Sequence, residues 1–168
     1  ELGMSAFDIG SILNETEKEI NERKSADFTA SRGEYLNARI IAAKLGWTFV
    51  DAKDIIFFNE NGAFDEQKSY PIIAAKLEAC KEAVIPGFYG TDSDGNIKTF
   101  SRGGSDISGS IVARAVNAEL YENWTDVSGF LACDPRIVDN PMPIHTISYK
   151  ELRELSYMGA NVLHSESI

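Results

Sequence analysis

The sequence predicts an α/β fold: a three-layer α/β/α sandwich on a mainly parallel sheet. Three observations carry the prediction. Short β-type runs alternate with helical patterns along the 168 residues. Polar loops containing glycine follow several of those runs. One of them, Ser-Arg-Gly-Gly-Ser-Asp at 101–106, reads as strand, tight turn and helix start. Such alternation sandwiches a sheet between helices, and ligands bind at the carboxyl ends of its strands.

The elements follow in order. Residues 7–24 hold Ile9, Ile12, Leu13 and Ile20 on one side and Glu15, Glu17, Lys18 and Glu22 elsewhere, the pattern of an amphipathic surface helix. Residues 24–29 read as a polar break. Ser31, Arg32, Gly33 and Glu34 open a second helix, with Leu36, Ile40, Ile41 and Leu45 inward and Gly46 as its stop. Residues 47–50 and 55–58 read as strands, the second ended by an Asn59-Glu60-Asn61-Gly62 turn. Residues 65–81 are helical from about Pro71, a residue suited to a first turn. A buried strand at 83–85 leads into a loop at 86–90. Residues 91–95 form a hairpin turn that returns through a strand at 97–100.

The turn at 101–106 then opens a helix with Ile107, Ile111, Val112 and Ala115 at helical spacing. Gly103 and Gly104 permit positive φ and leave no Cβ in the way of a ligand. Ser105 or Asp106 is placed to cap the helix. Unpaired amides at such a turn converge where a carboxylate or a phosphate can sit. Arg102 adds a forked positive charge, and Ser105 and Asp106 can hold an ammonium or a hydrated Mg²⁺. The plain alternative is a capped strand-to-helix connection with a surface arginine. Residues 119–124 read as a further strand running into Thr125-Asp126-Val127-Ser128-Gly129, with Asp134-Pro135-Arg136 in a loop. Ser148 and Glu151 form a capping box for a helix through about Tyr157, which Gly159 ends. Residues 160–164 form the last packed turn.

Bulk properties narrow the function. The formal net charge of −10 argues against a nucleic-acid backbone binder. It leaves room for a nucleotide site, where a few local cations and Mg²⁺ suffice. Cys80 and Cys133 lack metal-ligand spacing and read as free cytosolic thiols, with a disulfide as the alternative. No run approaches the ~18 apolar residues of a membrane span, and no signal peptide is legible. The chain opens at Glu1 and stops at Ile168 just after an apparent motif, so a piece of a longer protein is expected.

Five ordered motifs carry a resemblance. Ser-Arg-Gly-Glu at 31–34, Ser-Arg-Gly-Gly-Ser-Asp at 101–106, Trp-Thr-Asp-Val-Ser-Gly at 124–129, Asp-Pro-Arg at 134–136 and Gly-Ala-Asn-Val-Leu-His at 159–164 resemble those of aspartate kinases in the amino-acid kinase family. The resemblance implies the carbamate kinase-like fold of that family. It implies transfer of the γ-phosphoryl of ATP, with Mg²⁺, to the side-chain carboxylate of L-aspartate. That step leads towards lysine, threonine and methionine. It further implies a cytoplasmic protein, a homo-oligomer at full length, with no nucleic-acid or membrane partner and no protein metal centre.

Carried over by residue, the resemblance gives Glu34 the substrate ammonium and Arg102 a substrate carboxylate. The amides around Gly103, Gly104 and Ser105 complete that site. Asp106 stands near the ammonium or the metal, and Arg102 and Asp106 are the catalytic pair. Thr125 and Asp126 hold the nucleotide, Arg136 reaches its phosphates, and Leu131, Asn161 and Val162 lie on the same side. There the chain departs from its relatives: Leu131 replaces a frequent tyrosine, Ala132 a frequent threonine and Asn161 a frequent lysine. The family's Lys-Phe-Gly-Gly phosphate loop and its ACT domains are not in this sequence. Residues 1–168 are therefore expected to be part of a catalytic domain, inactive alone. The competing readings are another amino-acid or carbamate kinase of this fold, or a fragment that binds without turnover. Glu34 as a first-turn acid on the helix dipole, and 125–126 and 134–135 as ordinary turns, are the plain alternatives. Trp47 and Trp124 are expected in the core, and His145 and His164 are read as structural.

Overall fold

The computed structural model describes residues 8–22, 25–101, 103–124, 129–133 and 137–157. Helix α1 (Ile9–Asn21) is capped by Asp8, whose carboxylate accepts from the Ser11 amide at 3.1 Å. Helix α2 (Ala26–Leu45) begins well before Ser31, because Ser25 caps it by accepting from the Phe28 amide at 3.1 Å. The expected polar break is thus mostly helix. Asp27 is a first-turn acid there, favourable at the positive end of the dipole. The earlier start resets the buried face, which is Phe28, Ser31, Arg32, Ala38 and Ala42; Ile41 and Leu45, expected inside, are exposed. Gly46 closes the helix in the left-handed region, φ 72°, as its lack of a Cβ allows.

Strand β1 (Thr48–Phe49) pairs in parallel with β2 (Ala83–Val84). A parallel pair needs a long crossover, and the chain between them supplies it with a 3₁₀ turn (Ala52–Asp54) and helix α3 (Glu66–Glu78). Asp65 caps α3 by accepting from the Lys68 amide at 3.0 Å, so Pro71 lies inside the helix and not in its first turn. There Pro71 forgoes one backbone bond, which the helix tolerates. The strand expected at 55–58 reduces to isolated bridges, Phe57 with Thr91 and Phe58 with Phe64. One reason is local: the Phe57 amide donates to the Ser69 hydroxyl at 2.9 Å instead of to a ladder.

Strands β3 (Tyr89–Thr91) and β4 (Ile97–Thr99) form an antiparallel hairpin, with β3 starting inside the expected 86–90 loop. Its turn is fixed by Asp92, whose carboxylate accepts from the Asp94 and Asn96 amides, and by Gly95 at φ 85°. Helix α4 (Gly104–Ala115) follows, and helix α5 (Tyr149–Tyr157) comes last. The Ser148–Glu151 capping box is formed: the Glu151 amide donates to the Ser148 hydroxyl at 3.3 Å, and the Ser148 amide to the Glu151 carboxylate at 3.0 Å. Those bonds from Ser148 hold the Glu151 carboxyl below its ordinary range.

The core gathers Val50, Ala52, Ile55, Ile56, Ile73, Tyr89, Ile107 and Ile111, drawn from both strand pairs' surroundings and from α3 and α4. The class is α/β as expected, shown by a parallel pair, a hairpin and their packed helices among the described residues. Residues 119–124 correct one expectation. They form no strand, and no described strand pairs with them. Trp124 is 87% exposed and Trp47 is also exposed, so neither is a core residue. Cys80 and Cys133 are free.

Candidate active site

The site is built on the junction between β4 and α4. Gly103 is the N-cap residue of α4, at φ 58° and ψ 22°, and among the described residues no side chain caps the helix. The expectation that Ser105 or Asp106 caps is corrected. The Ile107 amide already bonds to the Gly103 carbonyl at 3.0 Å, so both residues stand inside the first turn. The amides of Gly104, Ser105 and Asp106 have no acceptor among the described residues. They form the free positive end of a helix of 12 residues.

Gly87 and Phe88 pack closely against the turn. A Cβ on Gly104 would lie 2.5 Å from the Phe88 Cβ and 3.0 Å from the Phe100 Cβ. A Cβ on Gly87 would lie 3.2 Å from the Ser105 Cα. Phe88 itself sits at φ 58°, an unusual conformation for a residue with a side chain. Its amide donates to the Ser108 hydroxyl at 2.9 Å, and that hydroxyl donates to the Gly104 carbonyl at 2.7 Å. Its carbonyl accepts from the Phe100 amide at 2.9 Å. Phe88 is therefore clamped to both sides of the glycine turn.

Asp106 faces a second segment. Its carboxylate accepts from the Asn123 side-chain amide at 3.3 Å. The Tyr121 phenol lies near it; burial first, then the Asp106 charge, raises the Tyr121 pKa above its ordinary value. Glu34 projects from α2, half-buried, with no hydrogen-bond or ion-pair partner among the described residues. The helix that carries it is tied to the end of β4, where the Thr99 hydroxyl donates to the Asp27 carboxylate at 2.9 Å. An uncommitted carboxylate and a set of uncommitted amides are complementary to an ammonium and a carboxylate.

Of the residues singled out in the sequence, Gly103, Gly104, Ser105 and Asp106 come together in this turn, and Glu34 stands on the helix tied beside it. Leu131 lies in a short antiparallel bridge with Pro143. Arg102, Thr125, Asp126, Arg136, Asn161 and Val162 lie outside the described residues, as do the 134–135 turn, Gly159, the 160–164 turn and His164. Phe88, Ser108, Tyr121 and Asn123 were not singled out. Gly87 was the available hint for the Phe88 clamp; nothing in the sequence pointed to Asn123.

An open cleft of about 1210 Å³ runs beside the turn, lined by Phe58, Phe100, Ser101, Ile111, Arg114 and Tyr121 among others. It takes in Ser101 but not residues 103–106. Among the described residues no group of three or more His, Cys, Asp or Glu could hold a metal ion, and no helix is long and apolar enough to cross a membrane.

Similarity to known proteins agrees with this architecture. Aspartokinase 3 of Bacillus subtilis is 38% identical over 156 residues, 88% of this chain and 34% of that protein. The crystal structure of Clostridium acetobutylicum aspartate kinase superposes with a TM-score of 0.88 at 58% identity, covering 96% of this chain and 36% of that one. E. coli aspartokinase III in complex with lysine and aspartate superposes with a TM-score of 0.71 at 26% identity, covering 85% of this chain and 35% of that one. The chain thus spans about a third of the length of these relatives. The profile of the amino acid kinase family matches residues 3–168, nearly the whole sequence, and the chain belongs to that family.

Proposed function

We propose that this chain carries the acceptor side of an aspartate kinase, which transfers the γ-phosphoryl of ATP to the side-chain carboxylate of L-aspartate. One observation carries the reading. The amides of Gly104, Ser105 and Asp106 and the carboxylate of Glu34, all without a partner among the described residues, stand on helices fastened to the same strand end. A free carboxylate suits the α-ammonium of an amino acid, and free amides beside Arg102 suit one of its carboxylates. Likeness to aspartate kinases supports aspartate as the acceptor.

Phosphoryl transfer asks the protein for positioning and charge neutralisation. In this reading Arg102 and the amides of the turn fix the acceptor carboxylate, and Asp106 orients the ammonium or a metal-bound water. Thr125, Asp126, Leu131, Asn161 and Val162 hold the nucleotide, and Arg136 meets its phosphates. Mg²⁺ is held largely by phosphates and water, with one or two carboxylates, and Asp106 is suited to that share. The free thiols of Cys80 and Cys133 support a reducing, cytoplasmic setting. A homo-oligomer at full length belongs to the same reading and is supported by the resemblance to aspartate kinases.

The test is a coupled ADP-release assay with ATP and Mg²⁺ on the full polypeptide, offering aspartate, glutamate and carbamate as acceptors. Turnover with aspartate well above the other two is expected. Preference for carbamate, or for an amino acid other than aspartate, would replace the reading with another member of the family.

A further inference from the structure

Arg32 is 6% exposed, yet among the described residues no carboxylate pairs with it. Its guanidinium lies 4.3 Å from the Phe28 ring centroid, 4.5 Å from Tyr35 and 5.6 Å from Tyr89. Its hydrogen bonds go to neutral oxygens of its own helix: Nη2 donates to the Ser31 hydroxyl at 2.9 Å and Nε to the Phe28 carbonyl at 3.3 Å. Aromatic faces and neutral oxygens thus take the place that an acid usually fills beside a buried cation. Tyr89 completes a chain of contacts. Its ring is fully buried, and its hydroxyl donates to the Asp51 carboxylate at 2.7 Å. Asp51 caps the 3₁₀ turn by accepting from the Lys53 amide, and the Lys53 ammonium lies 3.7 Å from its other oxygen. Tyr89 also directly follows Phe88, the residue clamped onto Gly104.

We propose that Arg32 and Tyr89 form an internal strut that sets the position of α2, and so of Glu34, relative to the glycine turn. They are positioning residues for the acceptor site, and the inference rests on the reading of Glu34 and residues 103–106 given above. The reasoning is mechanical. Glu34 and Arg32 share one helix. Tyr89 and Phe88 share one peptide bond. The cation–aromatic contact joins the two elements, while the Asp51 bond anchors the tip of the Tyr89 ring. Thr99 and Asp27 tie the start of α2 to β4, the strand that pairs with β3 in the hairpin. A helix held at two points cannot shift along its axis without breaking one of them. A displacement near 1 Å at a reacting group costs up to about 100-fold in rate.

Steady-state kinetics on the full polypeptide test this with four variants: Arg32→Met, Arg32→Lys, Tyr89→Phe and Glu34→Gln. Arg32→Met keeps most of the volume and loses the charge. It is expected to raise the aspartate KM by about tenfold or more while the ATP KM stays within about twofold. Arg32→Lys keeps a cation over the rings and should restore most of the loss. Tyr89→Phe keeps the ring and frees Asp51, with a smaller rise in the same direction. A folded Arg32→Met with unchanged aspartate KM, or with equal rises in both KM values, overturns the strut. If Arg32→Met does not fold, an unchanged KM ratio in Tyr89→Phe overturns it equally. An unchanged aspartate KM in Glu34→Gln instead overturns the acceptor-site reading beneath it.

Discussion

Gly104→Ala adds one methyl group at the tightest point of the site. The new Cβ would meet the Phe88 Cβ at 2.5 Å, the Phe88 Cα at 2.9 Å and the Phe100 Cβ at 3.0 Å. Carbon atoms rest at about 3.5–4.0 Å, so the partners must part by about 1 Å. None of the three is the free end of a flexible side chain. Phe88 is fixed through its own amide and carbonyl, and Phe100 packs on Phe58 with ring centroids 4.8 Å apart. Overpacking of this kind costs about 1–3 kcal/mol, against a helix-propensity gain of at most about 1 kcal/mol. A net loss of about 1–2 kcal/mol should lower Tm by about 2–8 °C in a domain of this size. The same displacement moves the free amides, so the aspartate KM should rise about tenfold or more. Differential scanning calorimetry and the ADP-release assay read the two effects. A Gly104→Ala protein with unchanged Tm and unchanged aspartate KM would refute the packing argument and the placement of the site together.

The other expectations are simpler. Arg102→Ala should weaken aspartate use far more than ATP binding, by about 10- to 100-fold for a lost charge-assisted bond; unchanged aspartate kinetics remove Arg102 from the site. Asp126→Ala should lower nucleotide affinity and leave the fold intact, and equal affinity by calorimetry excludes the assignment. Burial, then the Asp51 charge, raises the Tyr89 phenol far above its ordinary 10.0. Above pH 10 the unfolded chain ionises there and the folded one does not, so stability should fall as pH rises, less steeply in Tyr89→Phe; equal slopes in urea melts count against the burial argument. The Glu151 carboxyl is depressed below its ordinary 4.5 by Ser148, so its contribution is present above that pH and is lost as pH falls through the folded value. Its NMR titration midpoint should return to about 4.5 in Ser148→Ala, and a midpoint that does not move rejects the capping box as cause.

What the sequence made legible was local. The Gly46 stop, the Asp92 to Gly95 turn and the Ser148–Glu151 box depend on residues a few positions apart, and all are formed. The glycine turn at 101–106 was legible for the same reason. What escaped depends on partners far along the chain. The face of α2 is set by Tyr89 and Thr99, so its own periodicity pointed inward at Ile41 and Leu45. Phe88 takes a positive φ because Ser108 and Gly104 hold it there, and nothing in its type announces that. Residues 119–124 have a strand's composition, but a strand needs a neighbour to pair with, and composition does not name one. Of the nucleotide-side residues, Thr125, Asp126, Arg136, Asn161 and Val162 lie outside the described residues and only Leu131 is described, so that side stands on resemblance.

The tie between Thr99 and Asp27 spans 72 residues, and that between Tyr89 and Asp51 spans 38. The hairpin turn and the Ser148–Glu151 capping box close within a few residues. Loop-closure entropy must be met before such distant contacts give anything back, so the local elements can form early and these ties only late. With α2, the hairpin and α4 each formed, the ties that fix α2 against the hairpin would still have to be made. Binding competence in this chain thus rests on contacts between residues far apart in sequence, and not on any single local element.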